Sequence, residues 1–386
     1  MNPFLAGPPV SGDQFGDREA ETRYLLSRLR SGQNVFLTSP RRYGKTSLLL
    51  RAAAEARAAG VRIGFANLIY CTTRQEVAEE LTRAVVDRTL GWLEGSVQQV
   101  RDRLGRLPGV VPVLERDGWR LSLSATPGRS TWLEEIRRPV TLLDEVRVDG
   151  HQAALVIDEF QQVAAIDPGL AGVFKGLCDD LPGTALVFSG SRQHVLSELF
   201  AGAGAPLQNV AEPMSLEVIP EGPMVAFLRR RTTAAGRELL PQAARLLYRT
   251  MRGVPHFVQL LAASTFDREE EPLGEAAVAA ALVQVLRRQQ GELASRYEAM
   301  SRVQQRLVRA LAQAPEPQPF AHAFAQRSRL STPTIQRAMA SLRLAETVQF
   351  DPAAGWRLTD PVFDRWLLVG DAIDTGREID PAELLR

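Results

Sequence analysis

Apolar positions in the first part of the chain recur with two periods in turn, and from Pro220 to about residue 296 with one. Spacings of three and four predict a helix over 17–30, with Tyr24, Leu25 and Leu29 on one side. A short apolar run predicts a strand over 34–39. A helix follows over 44–59, carrying Leu48, Leu49, Ala52, Ala53 and Ala56 on one face and stopped by Gly60. A second strand is predicted over 61–70 and a long helix over 75–103. Residues 110–114, an Asp117-Gly118 turn, and Trp119, Leu121 and Leu123 alternating with Arg120, Ser122 and Ser124 predict a hairpin inserted on the core. Pro112 restricts its first arm to an edge. Residues 131–146 read as a helix. The unbroken apolar runs 153–157 and 184–189 read as strands buried on both faces, with a helix over 170–181 between them. Strands alternating with helices predict an α/β fold with a parallel sheet.

From Pro220 to about residue 296 only the helical period remains, broken at Pro220-Glu221-Gly222-Pro223, Gly236, Pro241, Gly253-Val254-Pro255 and Pro272. A small helical domain is expected. A helix over 304–313 is followed by a link with Pro315, Pro317 and Pro319 and by a short helix over 320–326. Thr332 is expected to cap, and Pro333 to open, a helix reaching about residue 344. Short strands over 348–350 and 356–358 flank Asp351-Pro352-Ala353-Ala354-Gly355. Three helices and a wing make a winged helix-turn-helix. The expected domains are a P-loop core over 1–215, a helical lid over 216–296 and a winged-helix domain over 297–386.

Length and composition agree with this. The chain has 386 residues, enough for two or three domains. It is 45% hydrophobic and 24% charged, which is globular rather than disordered. A net charge of +1 supplies no global field toward nucleic acid or membrane, so any nucleic-acid role needs a local patch. No apolar run is long enough to span a bilayer, and Met1-Asn2-Pro3-Phe4 lacks the basic and apolar regions of a signal peptide. Cys71 and Cys178 imply no disulfide framework, so a cytoplasmic location is expected. His151, His194, His256 and His322 have no metal-ligand spacing. Of the 46 lysines and arginines, only Lys45 and Lys175 are lysine. A planar, forked guanidinium does not replace a compact ammonium at a phosphate. A lysine kept at position 45 in a chain that otherwise uses arginine marks a site needing a point charge.

That lysine lies in Ser39-Pro40-Arg41-Arg42-Tyr43-Gly44-Lys45-Thr46-Ser47, between a predicted strand and a predicted helix. This is the context of a phosphate-binding P-loop, whose backbone N–H groups and helix N-terminus attract anions. Lys45 is expected to reach the β- and γ-phosphates of ATP, and Thr46 to ligate Mg²⁺. Ser39 stands where the pattern has its first glycine, and serine resists backbone geometries that glycine accepts. The plainer alternative is a chance Gly-Lys-Thr on a turn.

The second element is Leu155-Val156-Ile157-Asp158-Glu159, a buried strand ending in two carboxylates. Asp158 is expected to hold Mg²⁺ through water, and Glu159 to orient and deprotonate the attacking water. A solvated acidic turn is the alternative, and the P-loop argues against it. Ser189 or Ser191 could sense the γ-phosphate or position water, or simply end a strand. Arg192 could stabilise charge or lie on the surface. Arg229-Arg230-Arg231 could supply a finger to a neighbour or form a solvated face. Arg252 could touch the nucleotide from the lid, or favour a helix C-terminus.

Together these residues resemble the archaeal-type P-loop ATPase family, a branch of the AAA+ and STAND-like ATPases. The matching pieces are Asn2-Pro3-Phe4, Phe15-Gly16-Asp17-Arg18-Glu19, the P-loop with Ser47 and Leu48, Asp158-Glu159-Phe160-Gln161, Ser189-Gly190-Ser191-Arg192, Gly253-Val254-Pro255 and Asp360-Pro361-Val362-Phe363. The resemblance implies an ATPase core, a helical lid and a C-terminal winged helix. It also implies that Phe15 and Arg18 lie near the adenine and that Pro255 joins Arg252 at the nucleotide.

Two functions are therefore expected as alternatives. One is a Mg²⁺-dependent ATPase whose winged helix contacts double-stranded DNA through Arg327, Arg329, Thr334, Arg337 and Ser341, opposite an apolar face of Ile335, Ala338, Met339 and Leu342. The other is a slow nucleotide-dependent switch whose winged helix makes protein or intramolecular contacts. The expected ligands are ATP or ADP with Mg²⁺, with a second copy or another protein as further partner and no membrane.

Overall fold

The computed structural model describes residues 1–5, 7, 9, 16–89, 110–115, 118–123, 132–148, 152–202, 204–374 and 384. The chain divides into two compact units, Arg18–Glu217, and Met1–Asp17 together with Val218–Arg386.

The first unit runs α1 (Glu19–Ser31), β1 (Val35–Thr38), α2 (Lys45–Ala58), β2 (Arg62–Asn67), α3 (Arg74–Thr89), β3 (Val110–Glu115), β4 (Gly118–Leu123), α4 (Trp132–Val148), β5 (Ala153–Asp158), α5 (Gln162–Ile166), α6 (Gly169–Asp180), β6 (Ala185–Gly190), α7 (Gln193–Phe200) and β7 (Glu212–Ser215). Five strands form a sheet in the order β2-β5-β6-β1-β7, and every pair in it is parallel. Helical crossovers return the chain to the same end each time, so the strands share one carboxyl edge. Every residue of β5 and β6 is buried, as their unbroken apolar sequences require. Beneath the ends of these two strands, Phe160 packs on Phe188 and Phe174, with ring centroids 4.6 and 5.0 Å apart.

Two features depart from the sequence pattern. Strand β2 ends at Asn67, where the Asn67 side chain accepts from the Ile69 N–H at 3.0 Å and the chain tightens into a short helical turn, Leu68–Tyr70. Strand β7 was not anticipated; its sequence, Glu-Pro-Met-Ser, is largely exposed and lies at the sheet edge, where a proline is tolerated. Of the helix expected over 75–103, α3 accounts for residues to Thr89, and the remainder lies outside the described residues. The hairpin forms as expected, with Pro112 opposite Leu121, in a two-stranded sheet of its own. Asp117 and Ser124 lie outside the described residues.

The second unit contains α8 (Glu221–Ala234), α9 (Pro241–Thr250), α10 (Pro255–Phe266), α11 (Glu275–Glu298), α12 (Arg302–Gln313), α13 (His322–Ser328), α14 (Thr332–Leu344), the antiparallel ribbon β8 (Val348–Asp351) and β9 (Gly355–Leu358), and α15 (Pro361–Asp374). The N-terminal residues belong to it. Phe4 is buried between Phe227 and Phe266, each with its ring centroid 6.5 Å away, and Asn2 Nδ2 donates to the Ala263 carbonyl at 2.9 Å. Helix α14 is capped by Ser331 rather than Thr332, because Ser331 is the last residue with extended backbone and Pro333 sits in the first turn. Its Ile335, Ala338, Met339 and Leu342 are buried, as the helical period predicts, and α14 packs on α12 and α13.

Candidate active site

Parallel register brings three segments to one place at the carboxyl edge. Thr38 of β1 lies beside Gly190 of β6, and Ile157 of β5 lies beside Phe188 of β6. The loop after β1, the carboxylates ending β5 and the serines ending β6 therefore converge.

The loop turns through Arg42 and Gly44, whose φ angles of +71° and +87° are both left-handed. Glycine meets that requirement at position 44 without steric cost. Ser39 is not among the residues with positive φ, so glycine's freedom is not needed there and the substitution leaves the loop intact. Helix α2 starts directly after Gly44, with no side-chain cap and no acidic residue in its first turn. Lys45 is buried at 7% exposure, and its Nζ donates to the Ser39 carbonyl at 3.4 Å. A bare helix N-terminus beside a buried ammonium suits a polyanion. Arg41 and Arg42 lie exposed on the loop, with Pro40 and Tyr43 completing it, and Ser47 is buried in the first turn of α2.

Asp158 is fully buried and accepts three hydrogen bonds. Thr46 Oγ1 donates to its Oδ2 at 2.7 Å, Ser189 Oγ to its Oδ1 at 2.7 Å, and the Glu159 N–H to its Oδ1 at 3.0 Å. A hydroxyl and a carboxylate held together as hard oxygen donors fit Mg²⁺, which takes few protein ligands alongside phosphate and water. Among the described residues there is no cluster of three His, Cys, Asp or Glu that could hold a metal.

Glu159 leaves the strand with φ +56°. Its Oε2 accepts from Gln161 Nε2 and, at 3.4 Å, from Ser191 Oγ. The Phe160 N–H donates to the Ser189 carbonyl at 2.8 Å, which ties the turn to β6. Ser189 thus holds the aspartate and Ser191 the glutamate.

The wider site residues are distributed as follows. Arg18 is buried; its guanidinium pairs with Glu21 at 2.7 Å and donates to the Tyr43 carbonyl at 3.4 Å and to the Glu217 carbonyl. It is thereby attached to the phosphate loop's backbone. Phe15 lies outside the described residues. Arg192 is exposed. Arg252 and Pro255 belong to the other unit. There the Arg252 guanidinium donates to the Leu358 carbonyl at 2.8 Å and pairs with Asp364 at 3.3 Å, and Pro255 opens α10. Gln161, the last residue of the Asp158-Glu159-Phe160-Gln161 piece, is buried beside Glu159, a placement that the sequence pattern did not assign.

No protein-family profile and no curated protein matches the sequence. Among solved structures, the Walker-type ATPase of Pyrococcus abyssi superposes with a TM-score of 0.67 at 17% identity, over 95% of this chain and 99% of that one. The chain therefore shares the fold of that Walker-type ATPase. The Aeropyrum pernix ORC2 protein, solved in ADPNP–ADP complexes, superposes with a TM-score of 0.54 at 17% identity, over 93% of each chain. At that identity the likeness is one of fold, and the P-loop reading of the site rests on the geometry of the loop and the two carboxylates. No helix among the described residues is long and apolar enough to cross a membrane.

Proposed function

We propose that this chain is a Mg²⁺-dependent ATPase of the cytoplasm, with a P-loop core, a helical lid and a C-terminal winged helix. The observation that carries the reading is the buried chain Thr46–Asp158–Ser189, two bonds of 2.7 Å that tie the start of the P-loop helix to the ends of β5 and β6. Lys45 and the first turn of α2 would bind the phosphates, and Thr46 and Asp158 would hold Mg²⁺, which supplies charge neutralisation at the transferring phosphoryl group. Glu159 would take a proton from the attacking water as the new P–O bond forms and the bridging bond breaks, its electron pair leaving with ADP. Phosphate release measured with Mg²⁺ and with EDTA tests this; equal rates in both overturn it.

The winged helix is proposed to contact duplex DNA. Arg327, Arg329, Arg337 and Ser341 are exposed in this segment, although Arg327 also pairs with Glu316 at 3.1 Å and Ser341 accepts from Gln304 at 3.1 Å. One observation favours the nucleotide-switch reading. Arg252 between α9 and α10 grips β9 and α15, and Arg296 of α11 pairs with Asp360 at 3.2 Å. A winged helix bound to the helical segment in this way would move with it. Turnover stimulated by duplex DNA favours the first reading; slow turnover indifferent to DNA favours the second.

A further inference from the structure

Gln161 sits where an apolar side chain would be cheaper. It is buried at 5% exposure, and its Oε1 is buried without a hydrogen-bond partner. A buried acceptor left unpaired costs stability that a hydrocarbon side chain would not. What the amide gains is at its other end, where Nε2 donates to Glu159 Oε2.

The space for this amide is made by Gly190. A β-carbon built there would stand 2.0 Å from Gln161 Oε1 and 3.1 Å from its Cδ, far inside contact distance. Gly190 is not among the glycines with positive φ, so its backbone does not call for glycine. It is the missing volume that matters.

The backbone around Glu159 is already fixed. Its N–H is held by Asp158 Oδ1, its carbonyl accepts from the Gln162 N–H at 3.0 Å, and Phe160 is buried and bonded to β6. What remains adjustable is the glutamate side chain, and Gln161 and Ser191 both engage the same oxygen of it.

We propose that Gln161, seated in the space left by Gly190, is the positioning residue for Glu159. It holds Oε2 and leaves Oε1 to receive the proton of the attacking water. The inference rests on the reading of Glu159 as the base. A carboxylate free to swing would spend less time in the productive geometry, and misplacement by about 1 Å can cost on the order of a hundredfold in rate.

The test compares Gln161→Ala, Gly190→Ala and Glu159→Gln, and combines Gln161→Ala with each of the other two. Phosphate release gives kcat, and a fluorescent ATP analogue gives affinity. Gln161→Ala is expected to lower kcat by roughly ten- to a hundredfold, with analogue affinity changed by less than about threefold. Gly190→Ala should act alike by displacing the amide; its β-carbon would also stand 2.9 Å from Leu196 Cδ1, so once Gln161 is alanine it should add only what that second contact costs, less than it costs alone. In the Glu159→Gln background, Gln161→Ala should cause no further loss. An equal loss in both backgrounds, or loss of analogue binding in Gln161→Ala, would mean a structural role and overturn the proposal. Unchanged kcat in Gln161→Ala beside an impaired Glu159→Gln overturns the positioning role alone. A wild-type rate in Glu159→Gln, or no turnover in the unaltered chain, overturns the base assignment and the positioning role with it.

Discussion

Thr46 Oγ1 donates to Asp158 Oδ2 at 2.7 Å, although 112 residues separate them along the chain. The bond joins the residue after the P-loop lysine to the first carboxylate ending β5. It holds side by side the hydroxyl and the carboxylate proposed to bind Mg²⁺, Asp158 through water, so that little further ordering of these two groups would be needed.

Replacing Lys45 by alanine removes the buried ammonium next to the Ser39 carbonyl. Charge-assisted hydrogen bonds contribute about 1.5–3 kcal/mol each, so affinity for a fluorescent ATP analogue should fall roughly ten- to a hundredfold. Near-ultraviolet circular dichroism should be retained, because the strand and helix flanking the loop keep their apolar contacts. Unchanged affinity would remove Lys45 from the phosphate site.

The two carboxylates should separate by phenotype. Glu159→Gln keeps the shape of the side chain but cannot accept a proton, so hydrolysis should fall by on the order of a hundredfold while ATP still binds. Asp158→Asn should instead shift the Mg²⁺ dependence of binding to higher concentration, with little change in affinity measured in EDTA. A titration of Mg²⁺ at fixed analogue concentration distinguishes them; identical behaviour of the two variants would refute the division of roles.

Arg252 and Asp364 form a largely buried pair in the second unit. Burial pushes the Arg252 guanidinium down to about 10, and burial likewise holds the Asp364 carboxyl above the usual carboxylate range. Both shifts have the sign of desolvation, so each charge depends on the other. Arg252→Met or Asp364→Leu alone should destabilise the unit by about 3–5 kcal/mol, because the remaining charge is stranded. The double variant should be less destabilised than the sum. A double-mutant cycle by urea denaturation checks this; additive losses would show that the pair is not coupled.

For the proposed winged helix, converting Arg327, Arg329 and Arg337 to alanine should weaken binding of labelled duplex DNA in fluorescence anisotropy. The slope of log affinity against log salt should flatten by roughly one unit for each phosphate that is no longer neutralised. Binding in one nucleotide state only would show that the core gates DNA association. No binding at low salt with either ATP or ADP would favour the switch.

Much of the fold and the site was legible along the chain. The P-loop could be read because its lysine, threonine and glycine are contiguous and lie between a strand and a helix. The β5 and β6 runs announced buried strands because both faces of a central parallel strand must be apolar. Helix α14 showed its packing face because burial on a helix repeats every three or four residues.

The sequence by itself therefore determined the α/β class, the strand–loop–helix setting of Lys45 and the two neighbouring carboxylates at the end of β5, since each is written in neighbouring residues or in a short period. Only the tertiary structure decided that Ser189 serves Asp158 while Ser191 serves Glu159, that Gln161 occupies the volume missing from Gly190, that a polar proline-containing segment becomes the edge strand β7, and that Arg252 grips β9 and α15. These are pairings between polar groups, or fillings of single gaps, among segments distant in the chain. Such contacts satisfy hydrogen bonds and exclude volume one at a time, so they leave no repeating hydrophobic signal for a sequence to carry.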